Sequence, residues 1–306
     1  MNLLWTILGS ALNVAAVVLL APLAEGVLRK ITARIQSRQG PPLLQPYYDL
    51  LKLLGKEDLE SGECPRVQRF AACLAPTAIL AVATFLPMGF AAPMHAHGDV
   101  ILLVYLLTLV GISTLLAGLA AGSAYSLLGI SREMMTMITL EPLFAVALIA
   151  GAVHTRSFHL DTVLHGSVYA TPGVPWSGFL LLGVFLLALP AFVQRVPFDV
   201  AEAETEIMEG ALMEYSGPKL ALIKFAQMAK LVTYCGLFVA LFAPWGSHLV
   251  FPVGWLVFWL KVFLLVLLVT FVAATHARYR VDQAIRYFAL LLGAACVALV
   301  LASLGH

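Results

Sequence analysis

Apolar residues fill long stretches of the chain at every position around a helix, without the one-sided spacing of a helix that lies on a soluble core. The runs Ile101 to Ala121, Gly178 to Phe192 and Trp255 to Ala274 approach the ~20 residues that a helix needs to cross ~30 Å of hydrocarbon. Apolar windows and their breakers place spans near 3–24, 70–90, 99–121, 134–153, 178–194, 220–243, 254–275 and 287–304. The pattern therefore predicts an all-α fold, a polytopic transmembrane helix bundle of about eight spans. After the first window the pattern changes. Lys30, Arg34 and Arg38 recur every four residues as a basic stripe continuing the first helix, and Gly40-Pro41-Pro42 stops it. Tyr47, Leu50, Leu51 and Leu54 then follow the i, i+3, i+4, i+7 spacing of an amphipathic helix that can lie in the interface.

Composition agrees: 61% of the 306 residues are hydrophobic and 11% charged, against roughly 25% charged in soluble domains. Charge adds direction. Fourteen of the 18 lysines and arginines fall in the loops after windows one, three, five and seven, and Arg156 alone lies in the loops on the other side. Because Lys and Arg resist translocation, both termini are expected on the periplasmic or exterior side. The loops over 25–69, 195–219 and 276–286 are then expected to be cytoplasmic, within a single membrane domain covering 1–306. The first window opens with Met1 and Asn2 and reads as an anchor rather than a cleaved signal. The near-neutral total of +1 hides charge segregated by side, and no nucleic-acid partner is expected. Cys64, Cys73, Cys235 and Cys296 form no C-x-x-C pair, and His95 and His97 lack further ligands, so no metal is expected on this chain.

The charged residues that remain carry the candidate chemistry. Asp199, Glu202, Glu204, Glu206 and Glu209 lie within eleven residues, and Glu214 follows, so this segment holds six of the chain's 17 acids. On a helix Asp199, Glu202, Glu206 and Glu209 would line one face while Glu204 points away. Such a row can hold and pass protons, since like charges one turn apart resist simultaneous ionisation. A solvated acidic loop, or one that docks a basic partner, fits the same periodicity. Glu141, about two turns into the fourth window and followed by Pro142, is a candidate proton carrier. Lys224, Lys230 and Lys261 are intramembrane charges that could pair with it, form separate ion pairs or snorkel. Glu133 beside Arg132 reads as interfacial, a local ion pair. Arg278, Arg280 and Arg286 surround Asp282 in the last charged loop, where salt bridges to the acid-rich segment are expected. The stripe of Lys30, Arg34 and Arg38 suits either lipid headgroups or a soluble subunit.

Several of these stretches resemble subunit 1 of respiratory complex I and its homologues in membrane-bound energy-converting NiFe hydrogenases, including formate hydrogenlyase. The resemblance is strongest over Arg195-x-Pro-Phe-Asp-x-x-Glu-x-Glu-x-Glu through Glu214-Tyr-Ser-Gly217. Arg34 to Pro41, Leu44-Gln45-Pro46 and Lys52 to Glu57 are similar to the family's first loop. Arg278-Tyr-Arg280 with Asp282, Gln283 and Arg286 is similar to its last, and Arg132 to Glu141 to a segment ending in a membrane glutamate. The abrupt passage from Gly40-Pro41-Pro42 into Leu43 departs from complex I members. Phe192 and Gln227 stand where quinone-linked members commonly carry acids. Ser131-Arg-Glu133, Glu141-Pro142, Glu209-Gly210, Lys224, Lys230 and Lys261 resemble the hydrogenase branch, whereas Arg195 points mildly the other way.

The resemblance implies a non-catalytic coupling subunit in the cytoplasmic (inner) membrane of a prokaryote, part of a hetero-oligomer. Its partners would be a NiFe-hydrogenase-like large subunit, a small iron–sulfur subunit, antiporter-like membrane subunits and the lipid bilayer. Iron–sulfur clusters and the NiFe centre would belong to those partners, with no cofactor on this chain. The six acids and Glu141 would form the switch and relay to proton or sodium movement, and Arg34, Arg38, Arg195, Arg278, Arg280, Asp282 and Arg286 would hold the loops in register. Two other readings stay open: a quinone-binding subunit of an NADH-quinone oxidoreductase, and a self-contained ion transporter.

Overall fold

A computed structural model describes residues 3–59, 64–89, 94, 98–169, 174–201, 204–246 and 252–305, without the side chains of 3–5, 204 and 205. Of the positions singled out above, Glu202, the side chain of Glu204, His95 and His97 lie outside the described residues. The chain order is α1 (Leu3–Ile35), α2 (Gln45–Leu54), α3 (Pro65–Phe85), α4 (Val100–Ala121), α5 (Ala124–Thr155), α6 (Leu160–Val163), α7 (Trp176–Phe192), α8 (Glu204–Ile207), α9 (Gly217–Phe242), α10 (Val253–Thr275) and α11 (Val281–Ser303). Strands are absent among the described residues, as the all-α expectation required.

Seven of these helices are long and apolar enough to cross a membrane. The remaining predicted span is α7, whose 17 residues reach only about 26 Å at 1.5 Å per residue. The bundle is a multi-pass membrane domain built around α9: 89% of that helix's most apolar window is buried, against 28% for α10 and for α11. Aromatic side chains from three helices meet beside it. Phe144 of α5 lies 5.1 Å from Phe185 and 3.9 Å from Phe192 of α7, and 5.2 Å from Tyr234 of α9. Such ring contacts hold the helices at a fixed spacing, which matters where hydrocarbon outside is as apolar as the core. Asn13, fully buried on α1, donates to the carbonyls of Ala83 and Leu86 and so ties α1 to the free carbonyl end of α3.

Two features differ from the sequence reading. The fourth span was expected from residue 134, but α5 starts ten residues earlier, because Gly122 (φ 71°) ends α4 and the Ser123 hydroxyl accepts the Ser126 N–H to cap a new helix at once. Arg132 and Glu133 are therefore helical. The apolar stripe expected on α2 also splits. Tyr47 and Leu50 turn inward, the Tyr47 hydroxyl donating to the Leu19 carbonyl, while Tyr48, Leu51 and Leu54 stay exposed.

Lys261 lies away from the other intramembrane charges. Its ammonium donates to the carbonyls of Ala243, at 2.7 Å, and Trp245, and sits 5.8 Å over the Trp245 ring. Those carbonyls belong to the end of α9, where no helical N–H follows, so the lysine acts as its C-terminal cap. This accounts for a cation in a span without an acidic partner among the described residues, and it separates Lys261 from the pairing with Glu141 left open for the three lysines.

The turn from α1 into α2 depends on one glycine. A Cβ at Gly26 would stand 2.0 Å from the Leu43 carbonyl oxygen, which is backbone and cannot rotate aside. Gly26→Ala is expected to push residues 36–44 off α1 at a cost of about 1–3 kcal/mol. A lower Tm of the purified protein and faster proteolytic cleavage within 36–44 would show it, whereas unchanged cleavage would mean that the turn has another anchor.

Candidate functional site

The acid-rich segment does not form the continuous helix that its spacing predicted. Among its described residues it is α-helical over Glu204–Ile207 and 3-10 over Gly210–Leu212, and Met208 (φ 50°), Glu209 (φ 67°) and Gly210 (φ 52°) are left-handed in succession, which breaks any common face. Gly210 is required there: a Cβ would meet the Ala201 carbonyl at 2.5 Å and Cα of Gly129 on α5 at 3.3 Å. The local reason is charge. Cations on separate elements draw the acids in different directions. Arg278, just before α11, bonds Asp199 at 2.8 Å. Arg132 of α5 bonds Glu206 at 2.6 Å and reaches the Val200 carbonyl at 3.4 Å. Lys224 of α9 stands 3.6 Å from Glu209. Glu214 is half-buried in the turn before α9.

The expected bridge between the last charged loop and the acid-rich segment is present, made by Arg278. Phe198 reinforces it, packing 5.3 Å from Tyr279, 5.1 Å from Tyr287 and 5.1 Å from Phe288, while the Tyr279 N–H donates to the Pro197 carbonyl at 2.9 Å. Arg280 instead opens α11, its backbone N–H donating to the Gln283 side-chain oxygen at 3.2 Å, Asp282 lies in that helix's first turn, and Arg286 is exposed. Arg34 and Arg38 are exposed as well, Arg38 donating to Gln36.

Beneath the segment lie two cavities. One, of about 40 Å³, is lined by Glu133, Glu141, Gln194, Asp199, Lys230 and Tyr234 among others. The other, of about 150 Å³, is lined by Glu25, Arg29, Arg195, Asp199, Glu209, Leu212, Lys224, Gln227 and Met228. Both exceed the ~10–15 Å³ that one water needs and both offer polar partners. Asp199 stands in both walls.

Two carboxylates of these walls, and a third outside them, escaped sequence reasoning. Glu133 is buried and does not pair with Arg132 as expected: with α5 extended, it is 6% exposed and accepts from Gln194, while Arg132 turns to Glu206. Glu25, 3% exposed, accepts from Arg195 and from Arg29 at 3.2 Å, and Arg29 continues to Asp49 at 2.9 Å. The i, i+4 spacing of Glu25 and Arg29 at the end of the first apolar window was the available signal. Asp58 pairs with the buried Lys219 at 3.2 Å, joining the first loop to the start of α9. Of the residues predicted from sequence, the structure brings Asp199, Glu209, Glu141, Arg195, Lys224 and Lys230 to the two cavities. Glu206 and Arg278 stand beside them through ion pairs.

The family model described as NADH dehydrogenase matches residues 8–303. The chain belongs to this family, that of complex I subunit 1. It is 36% identical to Hydrogenase-4 component C of Escherichia coli over 85% of this chain and 82% of that one. It is 32% identical to Formate hydrogenlyase subunit 4 of the same organism over 86% and 87%. NADH-ubiquinone oxidoreductase chain 1 of Paracentrotus lividus is 31% identical over 98% and 97%. Among solved structures, that of the membrane-bound sulfane sulfur reductase, an archaeal respiratory membrane complex, matches with a TM-score of 0.85 and 26% identity, over 97% of this chain and 99% of that one.

Two further positions singled out from the sequence lie on the walls just described: Phe192 lines the smaller cavity within the aromatic cluster, and Gln227 lines the larger.

Glu206 is outside the spans and exposed. The Arg132 hydrogen bond first, and then its charge, hold this carboxyl below the usual range. A depressed folded value means that the pair contributes fully at neutral pH, above the unfolded value of about 4.3, and is lost as pH falls through the folded value. Acid titration of the wild type should therefore release the segment in that low window, seen as rising hydrogen exchange over 204–207. Glu206→Gln should remove the pH dependence, and an unaltered profile in that variant would assign the transition to another acid.

Proposed function

We propose that this chain is the membrane anchor and coupling subunit of a multisubunit energy-converting NiFe hydrogenase. In this reading it links electron transfer in a docked soluble arm to movement of protons or sodium ions. The observation that carries it is Asp199, a paired carboxylate in the wall between two polar cavities. One cavity opens beneath the acid-rich segment and the other reaches Glu141 in α5. Protonation or displacement of Asp199 would free Arg278 and change the charge seen by both cavities at once.

The names of Hydrogenase-4 component C and Formate hydrogenlyase subunit 4 support the hydrogenase branch, and the sulfane sulfur reductase supports a respiratory membrane assembly. A hetero-oligomer follows, with a hydrogenase-like large subunit, a small iron–sulfur subunit and antiporter-like membrane subunits as partners. The metal centres would sit on those chains, and no residue here is assigned a catalytic step. The 13 lysines and arginines of the 25–69, 195–219 and 276–286 loops favour the cytoplasmic face of a prokaryotic inner membrane for them. Exposed Arg34 and Arg38, on the part of α1 beyond its apolar stretch and just after it, suit contact with the soluble arm.

The NADH-ubiquinone oxidoreductase relative favours a second reading, a quinone site. The larger cavity speaks against it, since three cations and three acids line it where a quinone ring needs mainly apolar walls.

Asp199→Asn and Glu141→Gln are the direct test, made in inverted membrane vesicles carrying the intact complex. Each is expected to assemble with its partners and to lower ion movement per electron transferred at least tenfold, on the order of 1.4 kcal/mol or more of lost coupling. Full coupled movement in both variants would sink the assignment.

A further inference from the structure

The smaller cavity contains a charge imbalance that the coupling reading leaves unused. Its wall carries three carboxylates, Glu133 and Glu141 from α5 and Asp199 from the segment after α7, with one cation, Lys230 of α9. Arg278 answers Asp199 from outside the wall. Two carboxylates of one helix thus face a single ammonium. Glu133 and Glu141 are eight residues apart, a little over two turns, so they lie on the same side of α5 about 12 Å apart along its axis. Lys230 reaches both electrostatically. Its residue is only 9% exposed, and its ammonium lies 5.7 Å from the centre of the Tyr234 ring, one turn further along α9. The ring offers a π face, which attracts a cation without fixing it as a carboxylate would. The lysine stem has four rotatable methylenes, and the cavity leaves room for water. Gly111 of α4 completes the space: a Cβ there would meet the Glu141 carboxylate at 3.2 Å and Met137 at 2.5 Å.

We propose that Lys230 is the movable counter-charge of this cavity, its ammonium pairing with Glu133 or with Glu141 while the other carboxyl carries a proton. In one state Glu133 is ionised beside the ammonium and Glu141 is protonated. In the other, the proton has left the Glu141 carboxyl, passed through cavity water and bonded to the Glu133 carboxylate, and the ammonium has swung to Glu141. The lysine stays protonated throughout, one O–H bond breaks and one forms, and the total charge is unchanged. The swing keeps each state free of an unpaired carboxylate, which is costly inside a lipid-enclosed bundle. Tyr234 is the ring over which the ammonium moves, and Gln194, donating to Glu133, orients that carboxyl. Lys230 is thus a positioning residue for the proton, a role that rests on the coupling function proposed above.

The test reads the protonation state directly. In the purified complex at neutral pH, the infrared carbonyl band of protonated carboxylic acids is compared among the wild type, Glu133→Gln, Glu141→Gln and Lys230→Met. Glu133→Gln and Glu141→Gln should each lose one acid's worth of band, because the remaining acid is then ionised and paired with Lys230. Lys230→Met should gain one, since neither carboxyl keeps a counter-charge. Lys230→Arg should keep the wild-type band yet slow ion movement at least tenfold, because the planar guanidinium, with its rigid fork, does not swing as an ammonium does. If Lys230→Met does not assemble, the double variant Lys230→Met/Glu133→Gln, with Glu141 neutral by protonation, restores charge balance and should assemble. A band unchanged in Lys230→Met, or ion movement within twofold of wild type in Lys230→Arg, would overturn the proposal. The band is read without any ion movement, so a wild-type complex that moves no ions would remove the coupling function while leaving the shared proton to be judged by its own measurement.

Discussion

A carboxylate enclosed by a bundle that is itself enclosed by lipid must face a cation or give up its charge, because neither water nor a high dielectric is at hand to carry it. Much of the layout on the charged side of this protein follows from that constraint. Glu25 lies between Arg29 and Arg195, Asp199 against Arg278, Glu209 near Lys224, and Asp58 against the buried Lys219. Apart from Glu25 and Arg29, one turn apart on α1, these pairs join elements that are separate in the chain. The need for neutrality is therefore also what fastens the first loop, the acid-rich segment and the last charged loop to the ends of α1, α9 and α11. Apolar contact adds to this in the acid-rich segment, through the Phe198 ring cluster and the buried Val200, Ile207, Leu212 and Tyr215.

The same constraint explains what the sequence disclosed and what it withheld. Burial in lipid is written one residue at a time in hydropathy, so the spans and the position of Glu141 within one of them were readable directly. Pairing is a property of positions that meet only after folding. The helical spacing of Asp199, Glu206 and Glu209 is a true period, yet the segment breaks at Met208 and Glu209 because Arg132 and Lys224 come from different helices. Periodicity measures local preference and carries no knowledge of where the cations stand. Glu133 went astray for a related reason: the hydropathy window began after it, while the helix was set by a Ser123 cap that contributes nothing to hydropathy. Lys261 shows the opposite case, a charge in a span that looked like a partner for Glu141 and instead satisfies the carbonyls at the end of α9.

The family resemblance, carried by the long string from Arg195 to Gly217, was legible because it does not depend on helical period at all. It joins residues whose roles are tertiary: Phe198 for the ring cluster, Asp199 for Arg278, Gly210 for its approach to Gly129 and Ala201. A string can be specific even when no local rule predicts its shape. The converse also holds, since Gln194 has little local signature and gains its place from Glu133, and Glu25, beyond its neighbour Arg29, gains its own from Arg195.

Asp199 is where neutrality, pairing and enclosure meet at one atom pair. A carboxylate paired only within one cavity would report on that cavity alone, and one exposed to solvent would be screened within about 10 Å at ordinary salt. Asp199 is neither, being 17% exposed by its side chain, bonded at 2.8 Å and common to both walls. Its field therefore acts on Lys224 and Arg195 on one side and on Glu133 and Lys230 on the other, over distances at which burial leaves charges poorly screened. Coupling between the segment and α5 then needs no large movement of either. A change in the charge or position of one carboxyl alters the balance on both sides, and Arg132 and Glu133, adjacent on α5, provide a second link through the backbone because one holds the segment and the other lines the cavity.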